Sequence, residues 1–232
     1  MNKSRIWELD ALRGVAIIWV VIVHFLYDLR MFFGIDLLSH GLLNPIWLHI
    51  SKVFIVLSGL CVTLGKSSLR RGATVFGAGM LITAVTWAVV KLGFAPQDLV
   101  IRFGILHLLG VCMLLWPVFR RLPWWVLAIL GAGFIALGIW FEGITVETSW
   151  LFPLGLCRSD FYSGDYFPLF PHLGGFLLGT ALGKTLYKEK KSFFPGVTPP
   201  NFLCACGRRS LLIYLLHQPI LYGIVTITAS LT

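Results

Sequence analysis

The chain has 232 residues, of which 57% are hydrophobic and only 12% are charged, and its mean hydropathy is +0.85. A soluble globular protein of this length needs far more polar surface to cover itself, so that class is excluded. The net charge of +9 would suit a nucleic-acid-binding protein, but the basic residues follow a membrane topology instead, and no nucleic-acid partner is predicted.

Seven apolar segments follow one another along the chain, and each is a candidate transmembrane helix. They cover residues 12–29, 46–64, 72–90, 103–119, 123–141, 172–187 and a last segment that begins at residue 210. The sequence therefore predicts an all-α, polytopic integral membrane helix bundle with about seven transmembrane helices, forming a single domain over residues 1–232. The connection 142–171 is acidic and aromatic, whereas the segment 188–209 is basic and contains prolines, so we expect it to be an exposed loop.

The lysines and arginines indicate how the chain is oriented. With seven spans, fourteen of them fall on the side of the N-terminus, Lys52 lies within a span, and only four fall on the other side: Arg30, Lys91, Arg102 and Arg158. Cytoplasmic loops of membrane proteins carry the excess of basic residues. We therefore expect a cytoplasmic N-terminus and an outer C-terminus.

The first apolar segment carries the ionisable residues Arg13, His24 and Asp28. Eleven residues separate Arg13 from His24, which on an α-helix is about three turns and about 16 Å, so both side chains lie on one face. Ionisable residues inside a membrane helix are costly and are functional candidates. Asp28 follows His24 by four residues, so its carboxylate could orient the imidazole. We expect this helix to carry catalytic side chains.

The predicted topology places most of the six histidines on the outer side of the membrane. His217 lies toward the inner half of the last span, and the other five lie at outer span ends or in an outer loop: His24, His40, His49, His107 and His172. A single histidine at a helix end is more often an interfacial side chain than a catalyst. We expect two or three of the five to line one site, because histidine titrates near neutral pH and suits proton transfer.

The five cysteines predict neither a disulfide framework nor a metal site. Cys61 and Cys112 fall in apolar spans, and Cys157 has no partner on its side of the membrane. The Cys204-x-Cys206 spacing is by itself a weak metal signal, so no metal ligand is predicted.

Four segments carry a resemblance to known membrane enzymes. Arg13 and His24 have the arginine-to-histidine spacing of the acyltransferase-3 family, and the other three segments are FGILHLLG (103–110), DYFPLFPHLGGFLLGTALGK (165–184) and SLLIYLLHQP (210–219). In this order they resemble the catalytic-domain family of heparan-α-glucosaminide N-acetyltransferase, part of a wider superfamily of transmembrane acyltransferases.

The resemblance implies transfer of an acyl group from cytoplasmic acyl-CoA, such as acetyl-CoA, to an acceptor on the far side of the membrane. His24 matches the acyltransferase-3 histidine, whereas His40, four residues before Asn44, has the spacing of the catalytic histidine of the lysosomal enzymes. The base is therefore either His24 or His40. Because the chain lacks the large luminal portion of the lysosomal enzymes, the expected acceptor is a bacterial cell-envelope glycan or another small molecule rather than heparan.

Acyl transfer from a thioester needs a base for the acceptor and a group that stabilises the oxyanion. Lys52 or His107 could stabilise the oxyanion, and His107 is counted with Asp28 among the catalytic candidates. Arg13 and the helix start at Arg208 and Arg209 could hold the CoA phosphates. The predicted donor-binding residues are Arg13, Lys52, Arg208, Arg209 and His217.

Two other classes of function remain open at this point. In a small-molecule or proton-coupled transporter, buried His24, Lys52 and His217 would form a relay and the helix would be broken at Pro219. The odd number of spans and the absence of an internal repeat argue against it. A purely structural membrane subunit would leave the buried charges without a role. The acyl group, N- versus O-transfer and the formation of a homo-oligomer are left open.

Overall fold

The computed structural model describes residues 6–37 and 43–231, and these residues form helices joined by short connections. The α-helices are α1 Trp7–Phe33, α2 Leu43–Val62, α3 Ser68–Lys91, α4 Ile105–Phe119, α5 Trp124–Phe141, α6 Leu169–Leu186, α7 Asn201–Arg208 and α8 Ser210–Leu231. Within this part of the chain β-structure is limited to two isolated bridges. The all-α prediction is confirmed.

Four of these helices are long and apolar enough to cross a membrane, namely α1, α3, α5 and, over Ser210–Thr228, α8. The apolar stretches His49–Val62 and Ile105–Phe119 are shorter. Every predicted span coincides with a helix, which is compatible with a helical membrane bundle. The count of seven membrane crossings stays a prediction.

The chain divides into two compact units, and the first comprises residues 1–54 and 189–232. In this unit α1 packs against α7, because Gly14 lies against the backbone of Leu203 and Gly207 lies against the backbone of Asp10. Glycine permits such close approach of two helix backbones in membrane proteins. The prediction that residues 188–209 form only an exposed loop is wrong over α7. Pro200 precedes the first turn of this helix, where a proline is compatible with helix formation.

The second unit comprises residues 55–188, and glycines again allow its helices to approach closely. Gly131 of α5 and Gly174 of α6 face each other's backbone carbonyls, and Gly138 lies against Pro171. In the other pair, Gly72 of α3 lies against the backbone of Gly110 in α4. These glycines allow close helix packing without a hydrophobic driving force between the helices.

The connection between α5 and α6 is folded onto the segment that precedes α4. Phe103 and Tyr166 form a bridge, and the Phe167 N–H donates to the Phe103 carbonyl at 2.9 Å. The Tyr166 hydroxyl donates to the Phe152 carbonyl at 2.5 Å and lies 3.1 Å from the Cys157 thiol. Burial raises the pKa of Tyr166, and the contact with Cys157 raises it further, so this phenol stays protonated at neutral pH.

Candidate functional site

Two histidines from opposite ends of the chain meet between α1 and α8 in the first unit. The rings of His24 and His217 have centroids 4.8 Å apart and stand edge to face. His24 Nδ1 lies 2.9 Å from the Val20 carbonyl, and His217 Nδ1 lies 2.6 Å from the Tyr214 carbonyl. A carbonyl only accepts a hydrogen bond, so Nδ1 carries the proton in both rings and, in the neutral ring, Nε2 presents a lone pair.

The contact corrects the predicted depth of His217. The topology placed His24 toward the outer side and His217 toward the inner half, but ring contact requires both side chains to lie at the same depth. His217 is only 7% exposed, and its Nε2 is buried without a hydrogen-bond partner among the described residues. A buried acceptor without a partner is costly and is a place where a ligand group can bind.

Asp28 is joined to α8 rather than to its neighbour on α1. Gln218 Nε2 donates to both carboxylate oxygens of Asp28, at 3.1 and 3.4 Å, and Asp28 is only 3% exposed. The expected role of Asp28 in orienting the His24 ring is therefore not supported, because the Val20 carbonyl holds that ring. Asp28 also lies close enough to His24 for an electrostatic interaction, while its hydrogen bonds join α1 to α8.

Gln218 is a site residue that the sequence reasoning missed. Its amide nitrogen is used by Asp28, and its Oε1 is buried without a hydrogen-bond partner among the described residues. An uncharged amide inside an apolar span is a recognisable signal, because such groups hydrogen-bond across membrane helices. The site therefore offers acceptors at His24 Nε2, His217 Nε2 and Gln218 Oε1.

The predicted phosphate-binding arginines belong to the same unit, at the end where α1 begins. Arg13 precedes Gly14, which lies against Leu203 of α7, and Arg208 and Arg209 lie where α7 ends and α8 begins. Arg13 is half-buried, the other two are exposed, and none has an ion pair or side-chain hydrogen bond within the described chain. Three guanidinium groups at this end of the unit are thus available to an anion, and Arg13 lies about 16 Å along α1 from His24.

His107 lies in the second unit, and both of its ring nitrogens are engaged. Nδ1 accepts a hydrogen bond from the Gly104 N–H at 3.2 Å, and Nε2 lies 3.2 Å from the Thr83 hydroxyl, which donates to the Ile101 carbonyl. The ring stacks on Phe103 and is only 2% exposed. These contacts are those of a side chain that caps α4 and fixes it against α3.

The start of α4 depends on a second residue that sequence reasoning did not single out. The Ile105 N–H donates to the Asp165 carboxylate at 3.2 Å, across 60 residues of chain. A carboxylate is favourable at a helix N-terminus because it faces unpaired N–H groups and the positive end of the helix dipole.

We expect His107→Phe to lower the thermal stability of the protein, because it removes the acceptor for Gly104 and leaves the Thr83 hydroxyl with one partner fewer. Each lost buried hydrogen bond costs about 1–3 kcal/mol. Transfer activity per folded molecule should stay within about twofold, measured at a temperature where the variant is folded. A loss of about 100-fold or more in turnover, with folding intact, would restore His107 to the catalytic residues.

The contacts that form the α1–α8 site join His24, Asp28, His217 and Gln218, and they include none of the other predicted side chains that the structure describes. His40 lies outside the described residues, and His49 and Lys52 are exposed on α2. In the second unit, His172 Nδ1 lies 2.8 Å from the Pro168 carbonyl. Among the described residues no group of three or more His, Cys, Asp or Glu could hold a metal ion.

Comparison with known proteins decides the family. The family described as heparan-alpha-glucosaminide N-acetyltransferase, catalytic, matches the chain over residues 5–219. The chain belongs to this family. No curated protein and no solved structure matches it.

The matched range of the family, residues 5–219, includes both histidines of the α1–α8 site and all three arginines. Together with the four long apolar helices, it makes the chain an integral membrane protein of an acetyltransferase family. Neither the comparisons nor the described contacts support the transporter alternative.

Proposed function

We propose that the protein transfers an acetyl group from cytoplasmic acetyl-CoA to a hydroxyl or amino group of a glycan or small acceptor on the outer side of a bacterial inner membrane. The observation that carries the proposal is the α1–α8 site. It brings together the half-buried His24 imidazole of α1 and the buried His217 imidazole of α8, and α1 also carries Arg13. In each ring Nδ1 is held by a backbone carbonyl, which leaves Nε2 as the acceptor nitrogen.

In this proposal His24 is the base. Its Nδ1–H is held by the Val20 carbonyl, so its Nε2 lone pair can take the proton from the acceptor as the acceptor attacks the thioester carbon. The new carbon–oxygen or carbon–nitrogen bond forms, the carbon–sulfur bond breaks, and the imidazolium returns the proton to the departing thiolate. The nearby Asp28 carboxylate stabilises the imidazolium while it exists. His40 is the alternative base, in the position of the lysosomal histidine.

The donor lies along α1 in the proposed complex. Arg13, Arg208 and Arg209 bind the CoA phosphates, since guanidinium groups match phosphate oxygens in geometry and charge. The uncharged pantetheine arm then extends toward His24, and His217 and Gln218 contact its end or the acceptor.

Oriented proteoliposomes test the arrangement. CoA should compete with acetyl-CoA only from the cytoplasmic face, which we assign to the N-terminus. Arg13→Gln or Arg208→Gln should weaken donor binding with little change in turnover. Arg121→Gln is the matched control, because it removes one exposed positive charge from the same predicted side. Competition solely from the outer face, or equal effects of all three substitutions, would refute the arrangement.

A further inference from the structure

A short segment of the first unit is tied to the start of α1 by hydrogen bonds. The buried Glu8 carboxylate accepts from the Ser192 hydroxyl at 2.8 Å and from the Phe193 N–H at 2.9 Å. The Trp7 indole N–H donates to the Phe194 carbonyl at 3.2 Å. Because α1 is a candidate span that begins at Trp7, its first turn lies at a membrane surface. The tied segment therefore lies at that surface too.

The exposed side chains of this segment are mostly basic and aromatic, and Phe202 at the start of α7 is exposed as well. We call Lys190, Lys191, Phe193, Phe194 and Phe202 the basic aromatic patch. Both lysines are exposed, and the three phenyl rings are 54%, 53% and 71% exposed. Exposed phenyl rings beside lysines are unfavourable in water, but they are typical of segments that lie in the lipid headgroup region.

The backbone also shows that the segment is held in place. Lys190 has a φ of +56°, a left-handed conformation that is uncommon for a residue other than glycine. Such conformations persist where surrounding contacts hold them. Lys191 pairs with Glu189 at 2.9 Å, but both groups are about three-quarters exposed, and exposed ion pairs contribute little. An anionic group can therefore take the place of Glu189 as the partner of Lys191 at a small cost in free energy.

We propose that the basic aromatic patch binds the headgroups of anionic phospholipids in the membrane that contains the protein. The two lysines bind the phosphates, and the three phenyl rings insert at the level of the headgroups. Charge complementarity argues for an anionic lipid rather than a zwitterionic one, since a lysine near an anionic membrane surface strengthens binding about fivefold. The patch shares no residue with the arginines assigned to CoA, so the inference does not depend on the acetyltransferase chemistry.

The experiment uses the full-length protein in detergent, with phosphatidylglycerol or phosphatidylcholine added and bound lipid counted by native mass spectrometry. The double variant Lys190→Gln/Lys191→Gln should bind phosphatidylglycerol about 25-fold more weakly, because each lysine strengthens binding about fivefold. Its binding of phosphatidylcholine should not change. The control is Lys66→Gln/Lys91→Gln, which removes two exposed lysines elsewhere and so changes the net charge equally.

The outcomes separate the alternatives. A selective loss in the Lys190/Lys191 variant supports the lipid site. Equal losses in both double variants would mean that only net charge matters, and the proposal would be overturned. It would also be overturned if CoA displaced the phosphatidylglycerol and the Lys190/Lys191 variant lost CoA affinity to the same extent, because the patch would then bind the nucleotide.

Discussion

Replacing His24 with alanine should lower the turnover number by about 10² to 10⁴, the range expected when a general base is removed. The folded structure should persist, because the ring makes only one hydrogen bond within the described chain, from Nδ1 to the Val20 carbonyl. Binding of acetyl-CoA should change by less than about twofold, since the proposed phosphate contacts lie about 16 Å away along α1. Isothermal titration and steady-state kinetics on the purified variant measure both quantities.

The matched control is His49→Ala, which removes an exposed histidine from another apolar helix and should leave turnover unchanged. His40→Ala distinguishes the two candidate bases. If His24→Ala stays active while His40→Ala is inactive, the base belongs to the segment between α1 and α2, as in the lysosomal enzymes. If both variants turn over normally, the histidine mechanism is wrong.

The second large effect concerns the contact between α1 and α7. We expect Gly207→Leu to prevent accumulation of folded protein, because a Cβ at this position would collide with the Asp10 carbonyl and lie 3.0 Å from the Gly14 nitrogen. Backbone atoms cannot move aside as a flexible side chain can, so the two helices would have to separate. The milder Gly207→Ala should lower the free energy of unfolding by about 1–3 kcal/mol or more. Thermal unfolding in detergent, together with the yield of monodisperse protein, measures both effects.

Gly223→Leu is the control in the same unit, because a Cβ on Gly223 would meet no atom within 4 Å. A leucine there replaces a residue of low helix propensity and should be neutral or stabilising by up to about 1 kcal/mol. Comparable losses for Gly207→Leu and Gly223→Leu would show that the α1–α7 contact has no special importance for the fold.

Hydropathy predicts the long helices well, because a membrane helix buries its apolar side chains whatever its neighbours are. It fails at α7, where Pro195, Pro199 and Pro200 suggest a loop while the residues after Pro200 form a helix packed by Gly207. A short helix of this kind depends on its contact with α1, and local sequence does not encode that contact.

The candidate site could likewise be predicted only in part from the sequence. The chemical character of His24, Asp28 and His217 follows from their residue types and apolar surroundings, so each could be selected from the sequence. Their partners could not, because the Asp28–Gln218 bond joins residues 190 positions apart and its second member carries no charge. His107 was selected for its residue type, although both its nitrogens are engaged by the backbone and side chains around it.

The construction of the first unit from both ends of the chain has a consequence for biosynthesis. The carboxylates of Glu8 and Asp28 enter the membrane region with α1, but their partners lie 184 and 190 residues later. At ordinary rates of translation these partners emerge roughly 10 to 40 seconds after α1. Ser192 precedes α8, whereas Gln218 lies within it. A chain that stops before α8 therefore retains the partner of Glu8 but leaves Asp28 inside an apolar helix without Gln218, which is a costly state in a membrane.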